Sequence, residues 1–506
     1  MRLELRGLTK RFGSLVANDH IDLAIEPGRV HCLLGENGAG KTTLMNMLYG
    51  LLPLDEGEIV VDGAVQHFGS PRDAMRAGIG MVHQHFMLIP VFTVAENVIL
   101  GHERTTGADH LDLAAARETV RRIAGQFGFE IDPDARIEDL PVGVQQRVEI
   151  IKALALDAQV LVFDEPTAVL TPQETDELMA IMRQLKESDR SIVFITHKLR
   201  EVREVADEVT VLRLGRVVGT VSPDASDAEM ASMMVGRPIE LTVRKRPAEQ
   251  GGIALVVTDL VLADRHRRPV LDHVSFSVRR GEILAVAGVQ GNGQTELVEA
   301  LFGLQQDALG SATIEGTNLL GVGARAAINA GVGFVPEDRQ EDGLVSEFSI
   351  AENLMLNRTD GPPFVRHATV QLRALRRFAQ QKIREFDVRA PSAATLAGQL
   401  SGGNQQKVVL ARELGRELRL LIAAQPTRGL DVGSIEFIHG QIVAVRDRGV
   451  AVVMVSTELD EVTALADRIA VMYRGAIVGI VSPGTPRDVL GLMMAGVMPD
   501  GVEQVA

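Results

Sequence analysis

The chain has 506 residues and a mass of 54.6 kDa, which is more than one ordinary compact core holds and predicts two or more domains. Its 52 basic and 67 acidic side chains give a net charge of −15, which argues against nucleic acid as a partner because sequence-independent binding needs clustered positive charge. The sequence offers no run of about 20 apolar residues and begins with a polar segment, so we expect a cytosolic chain that does not itself cross a membrane.

The first element with a chemical signature is the segment GENGAGKT, from Gly35 to Thr42. It follows a predicted apolar strand and opens a predicted helix, the setting in which GxxxxGK[ST] forms a phosphate-binding loop rather than a simple glycine-rich turn. Backbone N–H groups and the helix N-terminus supply positive potential, Lys41 reaches the terminal phosphates, and Thr42 offers its hydroxyl to Mg²⁺. We therefore predict ATP binding by Gly35, Glu36, Asn37, Gly38, Ala39, Gly40, Lys41, Thr42 and Thr43.

The segment VLVFDEPT supplies the acids that this chemistry needs. Four apolar residues predict a buried strand that ends at Asp164 and Glu165, where ligands of α/β sheets gather. We predict that Asp164 holds Mg²⁺ and that Glu165 acts as general base toward the attacking water. We expect the alternation of the strand to point the two carboxylates in different directions. The alternative, a solvated strand end, loses weight because of the phosphate loop upstream.

The chain repeats itself. GRVHCLLGENGAGKTTL matches GEILAVAGVQGNGQTEL and AGIGMVHQ matches AGVGFVPE at a distance of 253 residues. Three later pairs, LPVGVQQR with LSGGNQQK, VLVFDEPT with LLIAAQPT and VFITHKL with VMVSTEL, lie 260 residues apart, and we place the extra residues around RTDGPPFVRH. Apolar runs alternate with amphipathic stretches, which predicts two α/β domains with parallel sheets, covering residues 1–240 and 250–495.

The second half lacks the reactive side chains of the first. At the positions of Lys41, Asp164, Glu165, His197 and Gln84 it has Gln294, Ala424, Gln425, Thr457 and Glu337. Gln294 cannot neutralise phosphate charge, Ala424 cannot hold a cation and Gln425 is too weak a base to activate water, so we predict that the second half does not hydrolyse ATP. The loop residues Gly288, Gly291, Gly293 and Thr295 remain, which leaves two alternatives: a site that still binds nucleotide, or a structural partner that binds none.

On these motifs nearly the whole chain resembles the ABC ATPase family. The resemblance implies tandem P-loop NTPase domains, each with a parallel-sheet core, an antiparallel β subdomain and a helical subdomain. It also implies that Phe12 stacks on adenine, that Gln84 senses Mg²⁺ and the attacking water, and that His197 contacts the γ-phosphate. LSGGNQQK at 400–407 is similar to the family's signature motif, whose Ser401, Gly402 and Gly403 would meet ATP bound to the opposite cassette. The first-half copy has Pro141 and Val142 at the positions of Ser401 and Gly402, so both defects would fall in one of two head-to-tail sites.

The fused cassettes, with VPEDRQEDGL in the second, look most like bacterial importers of sugars and nucleosides. The run MVHQHFMLIPVFTVAENVILG and the missing second acidic pair favour the nucleoside branch, with ribose or another simple sugar as the alternative. A soluble tandem-cassette translation factor is a remote third reading, because such factors carry a long charged linker and two intact sites. The importer resemblance implies ATP and Mg²⁺ as cofactors, two membrane permease subunits and an extracytoplasmic substrate-binding protein as partners, and a peripheral position on the cytoplasmic face of the bacterial inner membrane.

Overall fold

The computed structural model describes residues 1–499 apart from 84–85, 104, 107–109, 168–169, 171, 239–242, 244 and 368. The chain divides into two compact units, Met1–Ile239 and Glu240–Ala506. Within the described residues, no helix has both the length and the apolar character needed to cross a membrane.

The first unit is built on a six-stranded sheet with the order β12-β11-β3-β10-β9-β6. Five strands of this sheet are parallel: β11, β3, β10, β9 and β6. The edge strand β12 is antiparallel to β11. A separate four-stranded antiparallel sheet has the order β2-β1-β4-β5. The strands are β1 Leu3–Phe12, β2 Leu15–Ile25, β3 Val30–Leu34, β4 Glu56–Val61, β5 Ala64–Gln66, β6 Ile79–Val82, β7 Thr105–Thr106, β8 His110–Leu111, β9 Val160–Asp164, β10 Ser191–Thr196, β11 Glu208–Arg213 and β12 Arg216–Val221.

The short apolar runs become the central strands because both faces of the parallel sheet are covered, and every residue of β3, β9 and β10 is buried. The helices are α1 Lys41–Leu48, α2 Pro71–Arg76, α3 Val94–Ile99, α4 Leu113–Phe127, α5 Val142–Ala155, α6 Pro172–Glu187, α7 Leu199–Val205 and α8 Asp227–Val235. Helices α3, α4 and α5 pack against one another as a helical subdomain. Helix α3 begins at a capping box, in which Thr93 and Glu96 each bond the other's backbone N–H.

The second unit repeats this plan, with a six-stranded sheet of order β18-β21-β22-β15-β23-β24 and a four-stranded sheet of order β14-β13-β16-β17. Its strands are β13 Ile253–Ala263, β14 Pro269–Arg279, β15 Ile283–Ala287, β16 Leu309–Ile314, β17 Thr317–Asn318, β18 Val332–Val335, β19 Val365–Arg366, β20 Thr369–Val370, β21 Leu420–Ala424, β22 Ala451–Ser456, β23 Arg468–Tyr473 and β24 Ala476–Val481. Its helices are α9 Gln294–Leu301, α10 Ala324–Asn329, α11 Ile350–Met355, α12 Leu372–Glu385, α13 Gly402–Glu413, α14 Val432–Asp447, α15 Leu459–Leu465 and α16 Arg487–Met494. The predicted fold class is thereby confirmed: each unit has a parallel core, an antiparallel sheet and packed helices.

The extra residues of the second half lie in two places, whereas the sequence placed them around RTDGPPFVRH alone. The distance between matching residues is still 253 at β6 and β18, but it is 256 at the helix caps Thr93 and Ser349. It reaches 260 at β7 and β19. Part of the insertion therefore precedes α11, in the loop that follows β18. A π-helical turn forms in this loop at Arg339–Gly343. Loops tolerate added residues better than strands or helices do.

Candidate functional site

The phosphate-binding loop joins β3 to α1 and needs glycine where the backbone passes close to neighbouring strands. Gly40 has φ of 99°, and a Cβ there would lie 2.4 Å from the carbonyl oxygen of Ala17. A Cβ on Gly35 would lie 2.4 Å from the carbonyl oxygen of Leu212. Asn18, which is fully buried, donates its side-chain amide to the carbonyl of Gly40 at 3.1 Å. The loop therefore packs closely against backbone on two sides, at Ala17 and at Leu212. These contacts fix the loop conformation in which its backbone N–H groups can bind a phosphate.

Lys41, the first residue of α1, lies across this loop with only 4% of its surface exposed. Its Nζ donates to the carbonyl oxygens of Gly35 at 2.7 Å and Glu36 at 3.0 Å. The same Nζ lies 3.6 Å from Oε1 of Glu165. The buried ammonium thus contacts two backbone carbonyls and a carboxylate. Phosphate oxygens of a bound nucleotide could replace some of these contacts.

Asp164 and Glu165 occupy the end of β9, but they diverge for a different reason from the one expected. Asp164 is the last strand residue, whereas Glu165 has left-handed backbone with φ of 45° and so lies outside the alternation of the strand. Its N–H still donates to the carbonyl of Ile195 on β10 at 3.1 Å. The local turn therefore sets the direction of the Glu165 carboxylate, at the cost of a conformation that bulky residues avoid.

The pKa values of the two carboxylates are shifted in opposite directions. Burial, reinforced by the charge of Glu165, raises the pKa of Asp164 to about 6, although the Thr42 hydroxyl donates to its Oδ1 at 3.4 Å. Burial also acts to raise the pKa of Glu165, but the hydrogen bond and charge of His197 together with the charge of Lys41 hold it below its ordinary value. Glu165 is thus ionised at neutral pH, as a base must be. Asp164 is a buried carboxylate beside the Thr42 hydroxyl, and these two oxygens fit a hard metal ion, although the Lys41 charge also acts to lower the pKa of Asp164.

His197 follows β10, and its Nδ1 lies 3.5 Å from Oε1 of Glu165. A residue that the sequence reasoning missed, Glu201 on α7, anchors this segment: it accepts from Thr167 and from Thr196, each at 2.6 Å. The second unit repeats this arrangement at Glu461, which accepts from Thr427 at 2.7 Å. A buried glutamate repeated at a distance of 260 was the available signal.

The other predicted site residues are placed as follows. Phe12 ends β1, is 48% exposed, and has the Lys10 ammonium 5.7 Å from its ring centre. Gln84 lies outside the described residues. Ser401 is the N-cap of α13, and its Oγ accepts from the side-chain amide of Asn404 at 2.9 Å. Gly402 begins that helix and Gly403 is buried in it. Their roles toward nucleotide remain predictions.

The phosphate loop of the second unit is closed by its own side chain. Gln294 stands where the first unit has Lys41 and is 6% exposed. Its amide nitrogen donates to the carbonyl of Val289 at 3.0 Å, as lysine does to Glu36, but its Oε1 also accepts from the backbone N–H of Asn292 at 3.1 Å. Lysine has no acceptor and cannot do this. Gln294 therefore bonds to both ends of the loop turn, and its Oε1 is a second acceptor for the Asn292 N–H, which also donates to the carbonyl of Val289 at 3.2 Å.

The remaining polar groups of the second site also satisfy one another. The carboxylate of Glu337 accepts from Thr295 at 3.3 Å and pairs with Arg428. Gln425 has left-handed backbone with φ of 46°, like Glu165. Its Oε1 accepts from the N–H and the hydroxyl of Thr457 at 3.2 and 3.3 Å. The second unit thus keeps the backbone geometry of the site, but its polar side chains bond to one another and to the loop.

A phosphate loop opening onto a buried Asp-Glu pair at the end of a parallel strand defines a P-loop nucleotide-binding ATPase. The family model described as ABC transporter matches residues 18–168 and again 271–428. The chain belongs to that family, and it carries two copies of the family's ATP-binding domain.

Three relatives match almost end to end. The nucleoside import ATP-binding protein NupA of Lactococcus lactis subsp. cremoris is 47% identical over 98% of both chains. The guanosine import ATP-binding protein NupO of Bacillus subtilis is 45% identical over 98% of this chain and 97% of that one. The ribose import ATP-binding protein RbsA 1 of Rubrobacter xylanophilus is 44% identical over 98% of both.

Among solved structures, the archaeal ribosome recycling factor aABCE1, in complex with ribosomal stalk protein aP1, matches with a TM-score of 0.64. The match covers 97% of this chain and 92% of that one at 18% identity. At this identity the likeness shows the fold alone.

Proposed function

We propose that this chain is the ATP-hydrolysing subunit of an importer and that it powers the uptake of nucleosides across a bacterial inner membrane. The observation that carries the ATPase is the single cluster in which Lys41, Asp164, Glu165 and His197 converge at the end of β9. The observation that favours nucleosides is that the relatives at 47% and 45% identity are named for nucleoside and guanosine import.

The residues of the first cassette divide the work of hydrolysis. The loop N–H groups and Lys41 bind and neutralise the terminal phosphates. Glu165, ionised because of Lys41 and His197, accepts the proton of the attacking water. The Nδ1 of His197 lies 3.5 Å from Oε1 of Glu165, the same oxygen that the Lys41 ammonium approaches, and His197 orients the water and the γ-phosphate. Phosphate binding, proton acceptance and orientation of the water are thereby each assigned to one of these side chains.

Mg²⁺ is the metal that this site fits. Asp164 supplies a buried carboxylate whose pKa is raised to about 6, and Thr42 supplies a hydroxyl 3.4 Å from it. We propose that these two oxygens hold the ion, with Gln84 as a further ligand. When bound, the ion would neutralise charge on the β- and γ-phosphates.

We further propose that the competent site is shared between the cassettes. Ser401, Gly402 and Gly403 of the second cassette would contact the γ-phosphate of ATP bound at Lys41. The degenerate copy at Pro141 would then face the closed loop at Gln294. This pairing places both sets of defects in one site, which random loss would not do.

The importer needs partners that this chain does not provide. We propose two membrane permease subunits and an extracytoplasmic substrate-binding protein, with the chain bound peripherally to the cytoplasmic face of the membrane through the permeases. ATP binding would close the cassettes and hydrolysis would reopen them. The alternative substrate is ribose or another simple sugar, favoured by the relative named for ribose import at 44% identity.

Uptake of labelled nucleosides and labelled ribose, measured in cells with the chain, without it, and with Glu165→Gln, tests this proposal. We expect nucleoside uptake to require the chain and to be lost in Glu165→Gln, while ribose uptake is unaffected. Loss of ribose uptake alone would select the sugar alternative. Recovery of ribosomes instead of membrane proteins with the purified chain would select the translation-factor reading.

A further inference from the structure

The segments that carry Glu165 and His197 are joined by a buried side chain, Glu201 on α7. The residue is 3% exposed, and both oxygens of its carboxylate accept hydrogen bonds. Oε1 accepts from the hydroxyl of Thr167 and Oε2 from that of Thr196, each at 2.6 Å. Thr167 lies two residues after Glu165, and Thr196 is the last residue of β10, directly before His197. Glu201 therefore bridges the two segments that bring the base and the histidine together.

The turn between β10 and α7 is fixed around the same carboxylate. Lys198, which follows His197, has its Nζ 3.7 Å from Oε1 of Glu201. The backbone N–H of Lys198 donates to the Thr196 hydroxyl at 3.0 Å. This hydroxyl thus accepts from the turn and donates to Glu201. Because hydrogen bonds to an ionised acceptor are stronger than those to a neutral one, the carboxylate holds the end of β10 firmly.

The second unit keeps only part of this bridge. Glu461 is 5% exposed and accepts from the hydroxyl of Thr427 at 2.7 Å, as Glu201 does from its threonine. Its other partner is different, because His439 on α14 has its Nε2 3.0 Å from the same Oε1. Ser456 ends β22, and its hydroxyl accepts from the backbone N–H of Glu458 at 3.1 Å. In the part of the chain that the structure describes, Ser456 forms no hydrogen bond with Glu461.

The two units therefore separate a shared contact from one that accompanies the catalytic histidine. The contact to the segment after the acidic strand is present in both. The contact to the end of the neighbouring strand is present in the first unit, where His197 follows Thr196, whereas Thr457 follows in the second. The first unit has Met179, a fully buried apolar residue, at the position of His439. The glutamate thus bonds to the strand end in the unit with the histidine and to a helix in the other.

We propose that Glu201 is a positioning residue for ATP hydrolysis, which through Thr196 fixes His197 where it orients the attacking water. This inference rests on the proposed function, which gives His197 that role. The Nδ1 of His197 lies 3.5 Å from Oε1 of Glu165, so a small displacement of the strand end would separate the two groups. A misplacement of about 1 Å can lower a rate by about a hundredfold. ATP binding depends on the phosphate loop and Lys41 instead.

The first test compares Glu201→Gln with the matched variant Glu461→Gln in the second unit. Each change keeps the size of the side chain and removes a buried carboxylate, so both should lower the thermal midpoint of the full chain by similar amounts. Only Glu201→Gln should lower kcat, by about tenfold, because His197 loses its fixed position. We expect the KM for ATP and the binding of a fluorescent ATP analogue to be unchanged. Glu461→Gln should leave kcat unchanged as well.

The second test removes the hydroxyl that connects Glu201 to the strand end. Thr196→Val keeps the branched shape of the side chain and should lower kcat about as much as Glu201→Gln. The two changes together should lower it no further, because they break the same hydrogen bond. Thr196→Ser, which keeps a hydroxyl, should retain most of the rate. Ser456→Ala is the matched control in the second unit and should leave the rate unchanged.

The third test asks whether Glu201 acts through His197. In a chain that already carries His197→Ala, Glu201→Gln should leave kcat within about twofold of His197→Ala alone, since no histidine remains to be positioned. A residue that only stabilised the fold would lower the rate by the same factor with or without the histidine.

Several results would overturn the inference. An unchanged kcat in Glu201→Gln, or equal losses in Glu201→Gln and Glu461→Gln, would make the glutamate purely structural. A raised KM with a normal kcat would assign it to nucleotide binding, and a further loss of rate in the His197→Ala chain would show that it acts by another route. An unchanged rate in His197→Ala alone would instead remove the role of His197 from the proposed function, and this inference with it.

Discussion

The two residues at the end of the acidic strand show how the duplication kept backbone geometry while it lost chemistry. Glu165 and Gln425 both adopt left-handed φ, near 45°, and both donate their N–H to the neighbouring strand. For a residue with a Cβ this conformation costs roughly 1–2 kcal/mol. The same backbone conformation is present at Gln425, whose amide cannot act as a base, so the neighbouring strands and not the chemistry of the side chain impose it.

The sequence predicted which residues form the site but not how their side chains are oriented. Lys41, Thr42, Asp164 and Glu165 were found from motif spacing, and the structure brings them together. The left-handed turn at Glu165 was not predictable, because a glutamate gives no signal for a conformation fixed by contacts between distant strands. The hydrogen bond from Asn292 to Gln294 was hidden for a similar reason, since the substitution shows only that a charge is missing.

Glu165→Gln should lower the ATPase rate by about a hundredfold or more, since an amide cannot accept the water proton. ATP binding should remain, because Lys41 and the loop are untouched and the amide keeps the size of the carboxylate. Steady-state phosphate release and binding of a fluorescent ATP analogue measure the two effects. Equal loss of binding and turnover would assign Glu165 a role in nucleotide affinity instead.

The reverse change, Gln425→Glu, should leave the ATPase rate within about twofold of wild type. A carboxylate at this position would still lack a metal-binding neighbour, because residue 424 is alanine, and a lysine, because residue 294 is glutamine. The decisive measurement uses the double variant with Glu165→Gln, in which any restored hydrolysis must come from the second cassette. Recovery of turnover would show that the base alone was missing.

At the scale of elements, apolar runs and loop glycines sufficed to predict the parallel sheets and the helices behind the two loops. The position of the inserted residues was only partly predicted. Matching the two halves gives the total number of inserted residues between two matching segments. It does not give their position where the sequence between those segments shows no similarity. The π-helical turn Arg339–Gly343 forms in such a segment, DRQEDG, whose composition indicates only a loop.

The two signature helices differ at their first residues, and this predicts unequal effects of mutation. Helix α13 has Ser401 as its N-cap, whereas α5 has Pro141. Ser401→Ala should slow hydrolysis about tenfold or more, because the proposed site at Lys41 loses a hydroxyl donor to the γ-phosphate.

Pro141→Ser should change the rate by less than about twofold, because the loop it is proposed to face is closed by Gln294. The ATPase rates of the two variants are compared at saturating ATP, with circular dichroism to verify the fold. Equal effects would count against the head-to-tail arrangement of the cassettes.

At the scale of the whole molecule, the duplication has produced two units with the same topology and different contents. Both keep the sheets, the loop and the anchoring glutamates Glu201 and Glu461. They differ in the side chains that would meet phosphate. The sequence predicted this difference from five substitutions, but it did not predict that Gln294 and Gln425 accept from neighbouring backbone N–H groups.

This asymmetry predicts that each chain traps a single nucleotide during turnover. With Mg²⁺, ATP and orthovanadate, hydrolysis leaves ADP and vanadate locked only where Lys41, Asp164 and Glu165 act together. In the second unit, the lysine is replaced by Gln294, which bonds to the loop itself, and the Thr295 hydroxyl donates to Glu337. Labelled ADP retained after gel filtration should therefore amount to about one per chain.

Lys41→Gln should abolish that trapped ADP, since it gives the first loop the side chain that closes the second. Thr295→Ala is the matched control: it removes the loop hydroxyl of the second unit and should leave the trapped ADP at about one per chain. Two ADP molecules per wild-type chain, or retention in Lys41→Gln, would mean that the second loop opens during turnover and that its closed network is only a resting state. A value near one, lost only with Lys41, would make the second cassette a partner in hydrolysis that contributes its signature helix and no chemistry of its own.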